Sequence, residues 1–305
     1  MVSGRLKGSF IYLANAVHDM TGNWTVIGLA LAPMVLAASL CLLPDALNLQ
    51  HQLLHTFESG THSVSIGWHL AQAPYPAAEA VPPLFPAWQI RLLELLFALI
   101  TFTANLLVLC TLRRIQEGRR EASPLNETVA IYRQAIRLLP SFFWVAILQL
   151  LATVVGFVLL IVPGLLAFLW LYFTQYALVF DDRRGWAALL HSRELMRGRF
   201  FPVGTRVGVF LAVWSGFNSW SSAVFVGAGF VLGFFAITSG PFWAAIVLIF
   251  DILWMCVTYG TTAFFYAAGL RLYQDLNGMM SQQPQPAVVE VPMPATGPLS
   301  QQMQA

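Results

Sequence analysis

Residues 141–162 read SFFWVAILQLLATVVGFVLLIV, a run without a single charged side chain. About 20 apolar residues of helix cross the hydrocarbon core of a bilayer, so this run alone argues for a membrane span. Working outward, five more runs have the same character: Trp24–Leu43, Leu92–Leu112, Leu165–Phe180, Val203–Phe217 and Trp243–Ala268. Hydrophobic residues make up 58% of the 305-residue chain and charged ones 10%. A water-soluble fold of that composition could not cover its surface with polar groups. The expected fold class is all-α: a polytopic transmembrane helix bundle of about six spans, with interfacial amphipathic helices.

The charges between the runs give an orientation. The segment 44–91 carries Asp45, Glu58 and Glu79 but only one arginine, Arg91, whereas Arg113, Arg114, Arg119, Arg120, Arg133 and Arg137 precede the run at 141–162. Arg183, Arg184, Arg193, Arg197 and Arg199 follow the fourth run, and Arg271 follows the sixth. Positive loops stay cytoplasmic during insertion. Segment 44–91 is therefore expected outside, loops 113–140 and 181–202 inside, and both termini in the cytoplasm. Asn15, His18, Asp19 and Asn23 interrupt what a cleavable signal would need as its apolar core, so residues 24–43 are expected as a retained helix. The net charge of +2 is concentrated in the inner loops and indicates no nucleic-acid partner. Cys41, Cys110 and Cys256 all lie in apolar runs without metal-ligand spacing and are expected to be packing residues.

A recurring plan joins a short amphipathic segment to each pair of spans. Phe10–Asp19 is one such segment. In Pro124–Leu139, Leu125, Val129, Tyr132, Ile136 and Leu139 share a face; Ser123 is the expected N-cap, Pro124 the first helical residue and Pro140 the stop. Trp186–Arg199 is the third. Helices of this kind lie among lipid headgroups with arginines toward anionic lipid, which makes Arg133, Arg137, Arg193 and Arg197 the expected lipid contacts. Val162-Pro163-Gly164-Leu165 is expected as a tight turn near the outer surface. The glycine-rich stretch 223–237 reads as a re-entrant helix or as an extension of the fifth span rather than a seventh span. The transmembrane domain is expected to cover 1–280, and the Gln-, Pro- and Met-rich tail 281–305 to be disordered.

The stretch Leu160-Ile161-Val162-Pro163-Gly164-Leu165, then Tyr172 to Phe180, then Ala187-Ala188-Leu189-Leu190-His191-Ser192-Arg193-Glu194-Leu195-Met196-Arg197-Gly198-Arg199-Phe200, resembles a widespread bacterial pattern. So does the ending Gly269-Leu270-Arg271-Leu272-Tyr273-Gln274-Asp275-Leu276. The pattern is that of the membrane-domain family associated with glycerophosphoryl diester phosphodiesterases and of related multi-span proteins. The chain departs from it at Val162, where Ile is usual, and at Asp181-Asp182, where Glu is usual. The resemblance covers roughly residues 125–276 and implies a bacterial inner-membrane location. It implies no phosphodiesterase activity, because that enzyme is a separate soluble barrel that this chain does not contain.

Candidates for chemistry are few. His51 and His55 stand at helical i, i+4 spacing in the outer segment, near Glu58, His62 and His69, and such a pair can share zinc. Gln52 stands where a zinc protease would need its general base, so the expectation is no catalytic residue and no cofactor. Asp251 lies well inside the sixth run, where a carboxylate is costly and marks an ion or substrate path. Its alternative is a hydrogen-bonded structural role with Asn105, Gln149 or Gln175. Gly204/Gly208 and Gly229/Gly233 are spaced for close packing within the bundle. His191-Ser192 lacks an evident acidic partner, and Asp181-Asp182 is expected to start the following helix. The function expected first is a non-enzymatic protein that organises membrane lipids or partner proteins. A transporter or lipid-moving protein with a path near Asp251 comes second, and an outer-face metal enzyme third.

Overall fold

The computed structural model describes residues 6–58, 84–118, 123–236 and 242–281. Among them are nine helices and no strand: α1 (Ser9–Thr21), α2 (Trp24–Glu58), α3 (Ala87–Glu117), α4 (Pro124–Leu159), α5 (Ile161–Leu171), α6 (Thr174–Phe180), α7 (Trp186–Met196), α8 (Phe200–Ala236) and α9 (Phe242–Ser281). Among the described residues, six segments are long and apolar enough to cross a membrane: Trp24–Pro44, Ala87–Glu117, Pro124–Leu159, Val162–Phe180, Phe200–Phe225 and Leu248–Ser281. The protein is an all-α polytopic bundle.

Packing is concentrated at one end. The buried residues of α3 are Ala104 and Leu106–Leu112, just before Arg113; α6 buries Thr174 and Tyr176–Val179, and α9 buries residues from Met255 to Leu276. Toward the other end the side chains are apolar and exposed: Leu92, Leu95, Leu96 and Leu99 on α3, and Leu150 through Leu160 along one side of α4. Only 17% of the apolar window of α4 is buried within the protein. Apolar surface on that scale is stable only in an apolar solvent.

Several boundaries differ from the sequence expectation. Pro140 does not stop a helix, because α4 runs unbroken from Pro124 to Leu159 with Pro140 inside it. A proline loses only one backbone bond, and the apolar faces on either side hold the helix together. Leu125, Val129 and Ile136 do share a face, but it is the exposed one; Glu127, Ile131, Ala135 and Leu138 point inward. Ser123 occupies the cap position, yet its side chain makes no capping bond. α2 continues past Pro44 to Glu58, so segment 44–91 begins as helix rather than loop, and α3 reaches back to Ala87. α8 continues to Ala236, so residues 223–236 extend the fifth span. Of the tail expected to be disordered, 281–305, Ser281 ends α9 and the rest lies outside the described residues.

The turn between α4 and α5 is also displaced. The helix breaks at the single extended residue Leu160 (φ −174°, ψ 154°), while Pro163 and Gly164 sit in the first turn of α5. Gly164 is needed for closeness rather than for a left-handed turn. A Cβ on Gly156 would lie 2.8 Å from the Gly164 Cα, and one on Gly164 2.5 Å from the Phe157 ring. By contrast, Gly208 meets nothing within 4 Å and Gly204 only Leu169, so the Gly204/Gly208 pair does not pack helices together in this bundle.

Candidate functional site

At the packed end, α6 stops and the chain reverses through Asp182, whose φ of 54° is the left-handed conformation that Asp tolerates better than most residues. That reversal separates the two neighbouring carboxylates. Asp182 faces Arg113 on α3, which donates through Nη1 (2.9 Å) and Nη2 (2.9 Å) in a bidentate fork. Arg113 also donates to the Val179 carbonyl at 2.5 Å and to Glu117 at 2.8 Å. Asp181 turns the other way, accepting from the Tyr273 hydroxyl at 2.5 Å and lying 3.1 Å from His191 Nε2. Neither Asp181 nor Asp182 starts a helix: the residue before α7 is Gly185, with φ 55°. Both carboxylates serve tertiary pairing instead.

Aromatic rings surround this polar knot. Tyr176 stacks on Tyr273 with centroids 5.8 Å apart, His191 meets Tyr273 edge-on at 6.3 Å, and Phe173 lies 5.9 Å from Tyr273. Tyr176 donates to the Tyr266 carbonyl and Tyr266 to the Gln175 side chain. Gly269 makes room for the cluster: any Cβ there would run into the Tyr176 hydroxyl. A cleft of about 660 Å³ opens beside the knot, lined by Arg113, Asp181, Tyr273, Gln274, Asn277 and Ser281 among others. Its charged groups already have protein partners, so it offers hydrogen bonds rather than a free charge or a nucleophile. Ser192 is equally committed, donating to the Trp170 carbonyl at 2.6 Å and accepting from the Phe173 N–H at 3.2 Å.

The Asp181 carboxyl is pushed up by burial, but the adjacent His191 ring and Tyr273 hydroxyl outweigh that and hold it below its ordinary value. A carboxyl lowered on folding adds stability that is fully present above the unfolded value of about 4. That stability is lost as pH falls through the lower folded value. Asp182, lowered chiefly by Arg113, acts in the same sense. Thermal midpoints measured from pH 6 down to pH 3 should fall less steeply for Asp181→Asn than for the unaltered protein. Parallel curves would contradict this assignment.

A second set of ties fixes the amino-terminal helix. α1 buries Tyr12, Ala16 and Met20 and packs on α9. Asp19 accepts from Arg271 at 2.6 and 2.7 Å, and Tyr12 donates to Asp275 at 2.9 Å. Arg206 on α8 donates to the carbonyls of Lys7 (2.8 Å) and Leu6 (3.0 Å) and to that of Pro202. Arg206 therefore anchors the chain start rather than reaching freely to the interface.

Around the same end runs an exposed aromatic and cationic collar. Trp144, Trp170 and Trp186 are 57%, 37% and 64% exposed. The Arg193 guanidinium stands 5.5 Å over the Trp170 ring, a cation–π arrangement. A Cβ on Gly185, next to Trp186, would lie 3.8 Å from the Trp144 ring. Arg133, Arg137, Arg193 and Arg197 are exposed, and none of them pairs with a carboxylate among the described residues.

The residues singled out in sequence are not brought together. Gln175 is taken by Tyr266. Gln149 Oε1 and Asp251 Oδ2 are both buried without a hydrogen-bond partner, and Asn105 makes no side-chain hydrogen bond among the described residues. The structural role expected for Asp251, bonded to one of these amides, is absent. His51 and His55 fall on the distal part of α2, where the side chains lie outside the described residues, as do His62 and His69. No group of three His, Cys, Asp or Glu able to hold a metal occurs among the described residues. The Asp181–His191–Tyr273 knot was missed in sequence because Tyr273 is 92 positions from Asp181. Its members appeared only as separate parts of recurring motifs.

In comparison with known proteins, the chain matches no family model, no curated protein and no solved structure.

Proposed function

We propose that this protein is a non-enzymatic component of a bacterial inner membrane that organises anionic lipids around its arginine-bearing end, with that end and both termini in the cytoplasm. The observation that carries this reading is the collar. Trp144, Trp170 and Trp186 are exposed, Arg193 stands over Trp170, and Arg133, Arg137, Arg193 and Arg197 are exposed and pair with no carboxylate among the described residues. Tryptophans favour the headgroup level, and each arginine near an anionic surface contributes on the order of 1 kcal/mol of attraction. The resemblance to the phosphodiesterase-associated membrane domains is part of the same proposal and rests on the sequence motifs alone. A membrane-protein partner held at this end would be a further client of the same surface.

The test is lipid selectivity in reconstituted bilayers containing spin-labelled lipids. Phosphatidylglycerol should be enriched at the protein over phosphatidylcholine, and the enrichment should fall as salt is raised, since screening shortens the reach of these charges. Equal association of the two lipids at low salt would remove the reading.

Asp251 favours a second reading, a transporter or lipid-moving protein. A buried carboxylate oxygen without a partner, on a helix that spans the membrane, is costly to retain without use. Under that reading Asp251→Asn abolishes a lipid or ion flux in proteoliposomes while the thermal midpoint holds. A flux unchanged by the substitution would end it.

A further inference from the structure

The hairpin of α4 and α5 shows how deeply it enters the membrane. From Val154 to Leu169 there is no charged or hydrogen-bonding side chain. At its tip Val158, Leu159, Leu160 and Val162 are 81%, 69%, 69% and 66% exposed. A tip that emerged into water on the far side would present that apolar surface to water. The backbone at the tip is prepared for hydrocarbon as well. The break is one residue long, the Leu160 N–H donates to the Gly156 carbonyl, the Gly164 N–H donates to the Leu160 carbonyl, and Pro163 has no N–H to satisfy. These two bonds and the proline reduce the number of backbone groups that the turn leaves without partners where water is scarce.

The base of the hairpin has a fixed level. α7, flanked by Arg183, Arg184, Arg197 and Arg199, is stapled to it by Ser192, which bonds both the Trp170 carbonyl and the Phe173 N–H. Arg193 of the same helix lies over the Trp170 ring. An exposed guanidinium belongs among headgroups, so Trp170 marks the edge of the hydrocarbon core. Only ten residues separate Trp170 from Leu160, about 15 Å of helix, against a core of about 30 Å. A second comparison places the tip short of the far end of α3. From the level where Arg113 bonds the Val179 carbonyl, α3 runs on about 39 Å to Ala87, whereas α6 and α5 together reach Leu160 in at most about 28 Å.

We propose that the α4–α5 hairpin is a half-membrane wedge. It enters the leaflet on the arginine-bearing side, turns at Leu160 near the bilayer midplane and returns, and its exposed face is covered by the acyl chains of that leaflet alone. Because both ends return to the same side, the sidedness of every other segment is unchanged. The wedge adds apolar volume to one leaflet only, next to the collar that faces the headgroups of that leaflet. The side named here rests on the orientation proposed above, but the depth does not.

The experiment uses the full chain with Cys41, Cys110 and Cys256 replaced by alanine and a single Leu160→Cys. Leu160 is exposed, so the substitution leaves packing intact, and an unchanged thermal midpoint verifies this. In intact cells and in inverted vesicles, an impermeant maleimide should label Leu160→Cys from neither side. A nitroxide on the same residue in proteoliposomes should be far more accessible to oxygen than to a nickel chelate, at the value of a midplane site. Labelling from either face, or a nitroxide depth near the headgroups, overturns the wedge. Single cysteines at Ser63 and Ser123 report orientation separately and should label from opposite sides. If Ser123→Cys labels from outside while Leu160→Cys remains at the midplane, the orientation fails and the wedge stands.

Discussion

Gly156→Val is expected to lower the thermal midpoint in mild detergent sharply. The new side chain would begin 2.8 Å from the Gly164 Cα and 3.1 Å from the Pro163 carbonyl oxygen, and backbone cannot rotate aside as a side-chain end can. α4 and α5, which pack extensively on each other, would have to separate along their whole hairpin. Overpacking costs typically 1–3 kcal/mol and more where nothing can give; about 3 kcal/mol or above is expected here. Gly208→Val is the control, since its position meets nothing within 4 Å and should shift the midpoint little. Equal shifts for the two variants would mean that the hairpin is not closely packed.

Asp181→Ala is the second large effect. It removes the acceptor of the Tyr273 hydroxyl and the carboxylate 3.1 Å from His191 Nε2, and both residues are only 2% exposed. An unsatisfied buried polar group costs roughly 1–3 kcal/mol, so the loss expected is about 2–4 kcal/mol. Tyr273→Phe removes one donor but leaves Asp181 beside His191, and should cost less. In a double-mutant cycle the Asp181 and Tyr273 substitutions should fall well short of additivity. Additive losses would show that the 2.5 Å bond carries no coupling.

The fold was legible in the sequence wherever composition alone decides it. Runs such as 141–162 contain nothing a bilayer would reject, and all six match helices of sufficient length. Helix ends were less legible. Pro140 was expected as a stop, yet the helix continues through it, as α2 does through Pro44. Of the apolar residues grouped on 124–139, Leu125, Val129 and Ile136 share an exposed face, while Tyr132 and Leu139 are partly buried. In a membrane protein the apolar face looks outward, so Glu127 rather than Leu125 points to the core. Asp181 and His191 were each visible, but which carboxylate meets which base depends on the left-handed turn at Asp182. Spacing could not show that, nor bring Tyr273 beside them. Asp251 was read as costly, and its Oδ2 is buried without a hydrogen-bond partner.

The most direct measurement is native mass spectrometry of the full chain released from mild detergent. It should be compared with the variant carrying Arg133→Gln, Arg137→Gln, Arg193→Gln and Arg197→Gln. The unaltered protein should retain anionic phospholipid at a fixed small stoichiometry, and the variant should lose most of it while keeping its thermal midpoint. Retention that is identical in the two proteins, or a bare chain that carries no lipid, would contradict a role in organising anionic lipid.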